Sequence, residues 1–445
     1  MRQFSSPKLG VTDVPLASIR PNPRNARRHS AKQIAKLAAA IAEFGFNVPI
    51  VIDEGGMILC GHARYEAAVK LRMPSAPCIQ VSHLTEAQKT GFAIADNQLG
   101  DLSTFDDEKL KAEIEYLIAL DFNVELTGLD TAQIDILLDP EMVTVASDPA
   151  DSCAEVDLTQ PAVSRPGDLW GMGPHRLMCG DALQQESYET LLGADRAAMV
   201  FTDPPYNVPI ARHVSGLGKV RHREFAMASG EMSDEQFSAF LSAALGLMAM
   251  FSIDGSLHFV CMDWRHLETL LRVGGTVYAK LQNLCVWVKT NAGMGSLYRS
   301  QHEMIPVFKK GTAPHRNNIQ LGKHGRWRTN AWVYAGANAF GATRDSDLEA
   351  HPTVKPLAMV ADAIRDCTRR GDIVLDGFAG SGTIILAAER TGRKAAALEL
   401  DPLYVDTAVR RWQALTGKSA ILAGDGRTFH QVQMERAAPS TSEEA

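Results

Sequence analysis

Four consecutive residues, Asp203-Pro204-Pro205-Tyr206, have the types and spacing to act on an amino group. The Asp203 carboxylate and the Pro204 carbonyl are two acceptors, one for each N–H bond of such a group. An amino group on an aromatic ring is a poor nucleophile because its lone pair is delocalised into the ring. Two well-placed acceptors drive its nitrogen toward tetrahedral geometry and release that lone pair. The two prolines stiffen the backbone that presents the carbonyl. Tyr206 adds a flat face on which a flipped-out base could stack. This chemistry needs no metal and no covalent nucleophile. Standing alone, the same tetrapeptide also reads as a proline turn after a strand.

A second constellation lies at Gly377-Phe378-Ala379-Gly380-Ser381-Gly382-Thr383. Glycines there permit unusual dihedrals and close approach of a ligand to the backbone. Glu399, about 20 residues on, is placed to accept from ribose hydroxyls. Helix amides near Thr383 could meet a carboxylate. The third glycine of a dinucleotide fingerprint is missing, which favours a nucleoside-type cofactor over NAD. A purely structural glycine turn is the alternative.

These residues need strands and helices to position them. Val200-Phe201-Thr202 ends a strand that leads into the tetrapeptide, and Gly371 to Asp376 reads as a buried parallel strand feeding the glycine turn. A helix follows over Ile384–Thr391, then a strand over Ala395–Leu400 carrying Glu399. The alternation of strands and helices predicts an α/β domain over 165–432, with a flexible tail at 433–445. Residues 141–164 are acidic and rich in Pro, Ser, Ala and Asp, the composition of a linker. Ahead of it, 1–100 reads as a small α+β domain and 101–140 as a helical extension. A helix with Ile34, Leu37, Ile41 and Phe44 on one face is followed by strands at Val48–Ile52 and Met57–Leu59, then by Gly61-His62-Ala63-Arg64 and a helix to Lys70.

A chain of 445 residues with 45% hydrophobic content supports several folded domains. Its seven cysteines form no Cys-x-x-Cys pair, which argues against zinc and a disulfide framework and fits a reducing, cytoplasmic location. No signal-peptide pattern and no stretch of membrane-spanning length occur, so no membrane partner is expected.

With Asp203–Tyr206, the sequence resembles the DNA amino-methyltransferases, whose signature is an (Asp/Asn/Ser)-Pro-Pro-(Tyr/Phe/Trp) tetrad at a strand's carboxyl end. The tetrad precedes Phe378-Ala379-Gly380-Ser381-Gly382, the order of the permuted, β group of that family. The resemblance implies a Rossmann-like fold, S-adenosyl-L-methionine as methyl donor, and double-stranded DNA as substrate through base flipping. Its cofactor site would comprise Asp376, Phe378, Gly380, Ser381, Gly382, Thr383 and Glu399. Asp181 would accept from the cofactor adenine, and Thr353 and Lys355 would lie near its methionine end. Asp at position 203 favours adenine N6 over cytosine N4. Cytosine C5 chemistry is rejected because Pro77-Cys78 lies in the wrong domain. A DNA-binding regulatory protein with an inactive methyltransferase domain is the reading from a different class.

A net charge of −7 requires that phosphate contacts be local. Two acid-free stretches qualify. One follows the tetrad with Arg212, Lys219, Arg221 and Arg223; the other carries Arg316, Lys323, Arg326 and Arg328 within a target-recognition region at 290–350. Trp327, Trp332 and Tyr334 interleave the second, with Asn317, Asn318 and Gln320 able to read base edges. Two solvated loops are the plain alternative.

Residues 11–100 resemble the ParB-like (ParB/sulfiredoxin) domain through Asn22-Pro23-Arg24-Asn25, Ile58-Leu59-Cys60-Gly61-His62-Ala63-Arg64 and Ala95-Asp96-Asn97-Gln98. Gly61, His62 and Arg64 are the candidate nucleotide site that this resemblance implies; a structural or DNA-docking role is the other option. Such fusions imply a phage or mobile-element origin. A second copy of the chain is one further candidate partner.

Overall fold

The computed structural model describes residues 9–139, 149–151, 161–207, 231–290, 297–319, 328–335 and 355–437. The chain divides into two compact units, 1–140 and 141–445.

The first unit is built on a four-stranded sheet of β1 (Val11–Pro15), β2 (Ile50–Ile52), β3 (Ile58–Cys60) and β4 (Ser75–Gln80), in the order β1-β4-β2-β3. Helix α1 (Ala31–Phe44) starts at Ser30, whose side chain accepts from the Gln33 amide, and stops at Gly45. Ile34 and Ala38 pack beneath it against Ala67 of α2 (His62–Lys70). Helix α3 (Glu86–Asp101) completes the domain. The helical extension forms α4 (Asp107–Ala119) and α5 (Thr131–Leu138), which share a core of Ile114, Val124 and Ile134. Lys32 and Lys36 of α1 pair with Asp130 at its edge.

The second unit holds a ten-stranded sheet, and its first described helices are α6 (Gln185–Leu192), α7 (Asp234–Met250) and α8 (Leu267–Val277). Its strands are β5 (Leu169–Met172), β6 (His175–Cys179), β7 (Ala197–Thr202), β8 (Ser252–Val260), β9 (Lys280–Lys289), β10 (His302–Lys309), β11 (Ala331–Tyr334), β12 (Ile373–Asp376), β13 (Lys394–Glu399) and β14 (Ile421–Leu422). The spatial order is β11-β9-β10-β8-β7-β12-β13-β6-β5-β14, with β8, β7, β12, β13 and β6 parallel. Both faces are covered, so alternate residues of β7 enter different cores. Met199 and Phe201 join the cluster containing Trp412, and Val200 joins the one containing Leu241.

Two expected boundaries shift. The stretch expected to be a linker is anchored at both of its described parts within the second unit. Asp151 accepts from the Leu357 amide, and the buried Val163 and Ser164 donate their amides to Asp406. A composition rich in Pro, Ser and Asp says nothing of such backbone contacts. The start of the expected tail is helical, in α12 (Phe429–Ala437), where Arg436 pairs with Asp168. Within 290–350, the described strands β10 and β11 belong to the main sheet. Among the described residues, no helix is long and apolar enough to cross a membrane.

Candidate active site

Adjacent parallel strands open their carboxyl ends to one edge, and there the separate motifs meet. β7 delivers the tetrad and its neighbour β12 delivers the glycine turn, in register through Met199–Val374 and Val200–Leu375. Thr202 Oγ1 donates to Asp376 Oδ1 at 2.8 Å, tying the two strand ends together. Beyond β12, β13 ends at Glu399, and β6 ends at Cys179 just before Gly180 and Asp181.

The result is one cavity of roughly 1340 Å³, counting its open mouth. Asp181, Asp203, Pro204, Pro205, Tyr206, Lys355, Asp376, Phe378, Gly380, Ser381, Thr383 and Glu399 all line it. These residues come from four strand ends and from the segment before helix α9 (Leu357–Cys367).

At the glycine end, Glu399 Oε2 accepts from the Gly380 amide at 2.7 Å and Oε1 from the Asp401 amide at 2.9 Å. Burial pushes the Glu399 carboxyl up to about 7. Asp376 is likewise pushed up to about 7 by burial, although it accepts from Thr202 and from the Phe378 amide. Gly380 has φ +51° and open space where a Cβ would point, which leaves the turn clear for a ligand. Gly382 has a packing reason to be glycine. A Cβ there would stand 2.6 Å from Ala408 Cβ, so this glycine lets helix α10 (Thr383–Thr391) approach α11 (Pro402–Thr416). Arg411 of α11 donates to the Ser381 carbonyl and hydroxyl and holds the turn from behind. Sequence reasoning missed Arg411 because its partner lies a full helix and strand away.

At the tetrad, Asp203 Oδ1 accepts from the Tyr206 hydroxyl at 2.5 Å and Oδ2 from Lys355 Nζ at 2.5 Å. Lys355 also pairs with Glu303 Oε2 at 3.1 Å, and Lys289 with Glu303 Oε1 at 2.6 Å. Burial pushes Asp203 up, opposed by Lys355 and reinforced by Glu303. Burial also acts to raise Glu303, but Lys355 and Lys289 outweigh it and hold that carboxyl at about 2. Burial opposes the charge on Lys355, yet Asp203 and Glu303 keep its ammonium well above the usual lysine range. Lys355, expected near the cofactor's methionine end, lines the same cavity, and its described partners are the two carboxylates at the tetrad. Glu303 and Lys289 had no assigned role in the sequence. The signal was available only as a carboxylate and a lysine on neighbouring strands.

The expected DNA contacts divide. Arg212, Lys219, Arg221, Arg223, Lys323 and Arg326 lie outside the described residues, as do Thr353, Trp327 and Gln320. Arg316 is half-buried. Arg328, expected to face DNA, is turned toward acids of its own domain. Its guanidinium pairs with Asp362 and Asp366 at 2.8 Å and also donates to Tyr334, with 12% of the side chain exposed. A basic residue in an acid-free stretch can find its acids in a distant helix, here α9. Asn318 is also withdrawn from base reading: it is buried and donates to the carbonyls of Arg365 and Thr368. Trp332 and Tyr334 are buried in the sheet's core.

In the first unit, Gly61 has φ +102° and caps α2, and His62 Nε2 accepts from the Asn22 amide at 3.2 Å. The Arg64 guanidinium folds back over Gly61, 3.0 Å from where a Cβ would stand. Burial lowers its basicity, against the pull of Asp96 and Cys60. No group of His, Cys, Asp and Glu side chains able to hold a metal occurs among the described residues.

Three families match consecutive parts of the chain: a ParB N-terminal domain over 2–98, a ParB-methyltransferase HTH domain over 108–166, and a DNA methylase over 197–410. The second spans both the expected helical extension and the expected linker. The ParB-like nuclease domain-containing protein YnaK of Escherichia coli (strain K12) is 45% identical over 84 residues, 19% of this chain and 97% of YnaK. The type II methyltransferase M2.MboI of Moraxella bovis is 24% identical over 229 residues, 49% of this chain and 81% of that protein. Among solved structures, the M1.HpyAVI-SAM complex aligns at 20% identity with a TM-score of 0.39, covering 53% of this chain and 97% of its own.

Proposed function

We propose that this chain, which matches a DNA methylase family over 197–410 and a ParB N-terminal domain over 2–98, is an S-adenosylmethionine-dependent DNA methyltransferase of the N6/N4 type that methylates adenine N6 in double-stranded DNA. The observation that supports the proposal is the shared cavity, lined by Asp203 and Pro204 as well as by Asp181, Gly380 and Glu399.

The residues present fit the cofactor. Glu399 retains lone pairs for ribose hydroxyls beyond its two backbone bonds, and Asp181 lies on the lining with a carboxylate for an adenine amino group. The open face of Gly380 leaves room for the ligand to lie against the turn. S-adenosylmethionine, when bound, supplies an electrophilic sulfonium methyl. The protein's part is to prepare the nucleophile. Asp203 and the Pro204 carbonyl each accept one N–H of a flipped-out base, which pyramidalises the nitrogen and aims its lone pair. The Tyr206 ring offers a stacking face, while its hydroxyl fixes the Asp203 carboxylate. In this reading the phosphates are met by the basic residues Arg212, Lys219, Arg221 and Arg223, with Arg316, Lys323 and Arg326.

Asp at position 203 favours adenine; cytosine N4 presents the same pair of N–H donors and is the second reading. Transfer of labelled methyl from S-adenosylmethionine to duplex DNA, followed by nucleoside chromatography, separates them. N6-methyladenine supports the proposal, N4-methylcytosine replaces it with the second reading, and no label on any duplex contradicts both. In the last case a regulatory, DNA-binding role for the ParB-like domain stands instead, with Gly61, His62 and Arg64 as its proposed nucleotide or DNA contact.

A further inference from the structure

The tetrad's carboxylate is already occupied. Asp203 Oδ1 holds the Tyr206 hydroxyl and Oδ2 holds Lys355 Nζ, both at 2.5 Å. Lys355 is itself an N–H donor with 7% of its side chain exposed, 5.6 Å above the Tyr206 ring centroid. It therefore stands where a target amino group must donate and beside the ring on which a base would stack. A second carboxylate, Glu303, lies 3.1 Å from the same ammonium and is anchored from behind by Lys289 at 2.6 Å.

We propose that Lys355 is a placeholder for the target amino group, and that Glu303, held by Lys289, is the positioning residue that takes this ammonium when the amino group arrives. The inference rests on the amino-methylation reading above. It adds a reason why the site carries two acids and two lysines when one acid would make the acceptor. In the resting state Lys355 keeps a half-buried carboxylate charged and oriented without a base. On base entry a shift of the ammonium toward Glu303 frees Oδ2 without stranding a buried cation. No bond is made or broken in this exchange; one N–H donor replaces another.

The other ionisable groups facing Asp203 are Tyr206 on its own turn, Cys261 after β8, and Asp376 at the end of β12. Burial holds the Tyr206 hydroxyl and the Cys261 thiol neutral. Asp376 sits one strand away and is bound to Thr202. Lys355 and Glu303 are thus the two groups that act on Asp203 with opposite sign.

The test is the pH profile of single-turnover methylation by the full-length protein, for wild type, Lys355→Met, Glu303→Gln and the double variant. Losing the cation makes Asp203 harder to ionise, so Lys355→Met moves the acid limb up by about one pH unit, with the rate recovering on the alkaline side. Losing the neighbouring carboxylate moves the limb down in Glu303→Gln, but its plateau falls about tenfold or more because the ammonium has nowhere to go. Removing the placeholder as well restores the plateau, so the double variant is faster than Glu303→Gln. Limbs that do not move in opposite directions, or a double variant no faster than Glu303→Gln, overturn the proposal. Should a single variant fail to fold, Lys355→Arg keeps the charge and is expected to keep the wild-type limb; a limb displaced like that of Lys355→Met overturns the inference. Carboxyl NMR of Asp203, assigned with Asp203→Asn, reads the same opposite shifts without DNA. A wild-type protein that methylates nothing contradicts the function, whereas carboxyl shifts that do not move in opposite directions contradict the coupling of Asp203 to Lys355 and Glu303 on which the placeholder depends.

Discussion

Replacing Asp203 with Ala removes one of two acceptors for the target amino group and leaves Glu303 as the carboxylate partner of Lys355. Methyl transfer is expected to fall by about 10²-fold or more, the usual cost of losing one preorganised partner of the transition state. S-adenosylmethionine binding by calorimetry is expected to persist, because the glycine end of the cavity is untouched. A variant that loses both would place Asp203 in the cofactor site instead. Glu399 gives a pH signature at the same scale. Its carboxyl is pushed up to about 7 by burial, above its unfolded value. The unfolded chain therefore loses this proton first, and the group's contribution to stability falls as pH rises from the ordinary carboxylate range through 7. Hydroxyl donors favour the ionised form, so cofactor affinity is expected to rise over that window. Glu399→Gln is expected to bind more weakly and to lose this part of the pH dependence; an identical slope in the two proteins would count against ribose recognition by Glu399.

At the scale of elements, Arg328 joins the start of β11 to α9 through Asp362 and Asp366, whose side chains are 3% and 7% exposed. Arg328→Met removes the cation that Asp362 and Asp366 share, leaving Asp362 with Arg365 and the Tyr334 hydroxyl, and is expected to destabilise the second unit by about 3 kcal/mol. Thermal unfolding measures this; a wild-type melting temperature together with weakened DNA binding would return Arg328 to the DNA interface. Elements built from local pattern were legible in the sequence. Ser30 and Gly45 bound α1 as their cap chemistry predicts, and the strand–glycine turn–helix at Ile373–Thr391 follows from apolar runs and turn residues. What escaped was long-range pairing. Lys355 reaches a carboxylate 152 residues away, and the Val163 amide reaches Asp406 across 243. No periodicity carries that information. Gly382 was legible as a needed glycine, but the helix packing against Ala408 that excludes its Cβ was not.

For the whole molecule, a chain of net charge −7 that binds DNA must rely on local basic segments. Neutralising Arg212, Lys219, Arg221 and Arg223 together is expected to flatten the salt dependence of binding, by about 0.9 in log–log slope for each phosphate that these side chains no longer neutralise. Fluorescence anisotropy over a salt series measures it, and an unchanged slope would assign phosphate binding to other residues. The account as a whole stands on methyl transfer to an exocyclic amino nitrogen by the site built around Asp203. Its most direct test is incubation of the protein with labelled S-adenosylmethionine and duplex DNA of varied sequence, with Asp203→Ala alongside. The account predicts label recovered as N6-methyladenine with the wild-type protein and at least about 10²-fold less with the variant. Equal labelling by both proteins, or none by the wild type on any duplex, would contradict it.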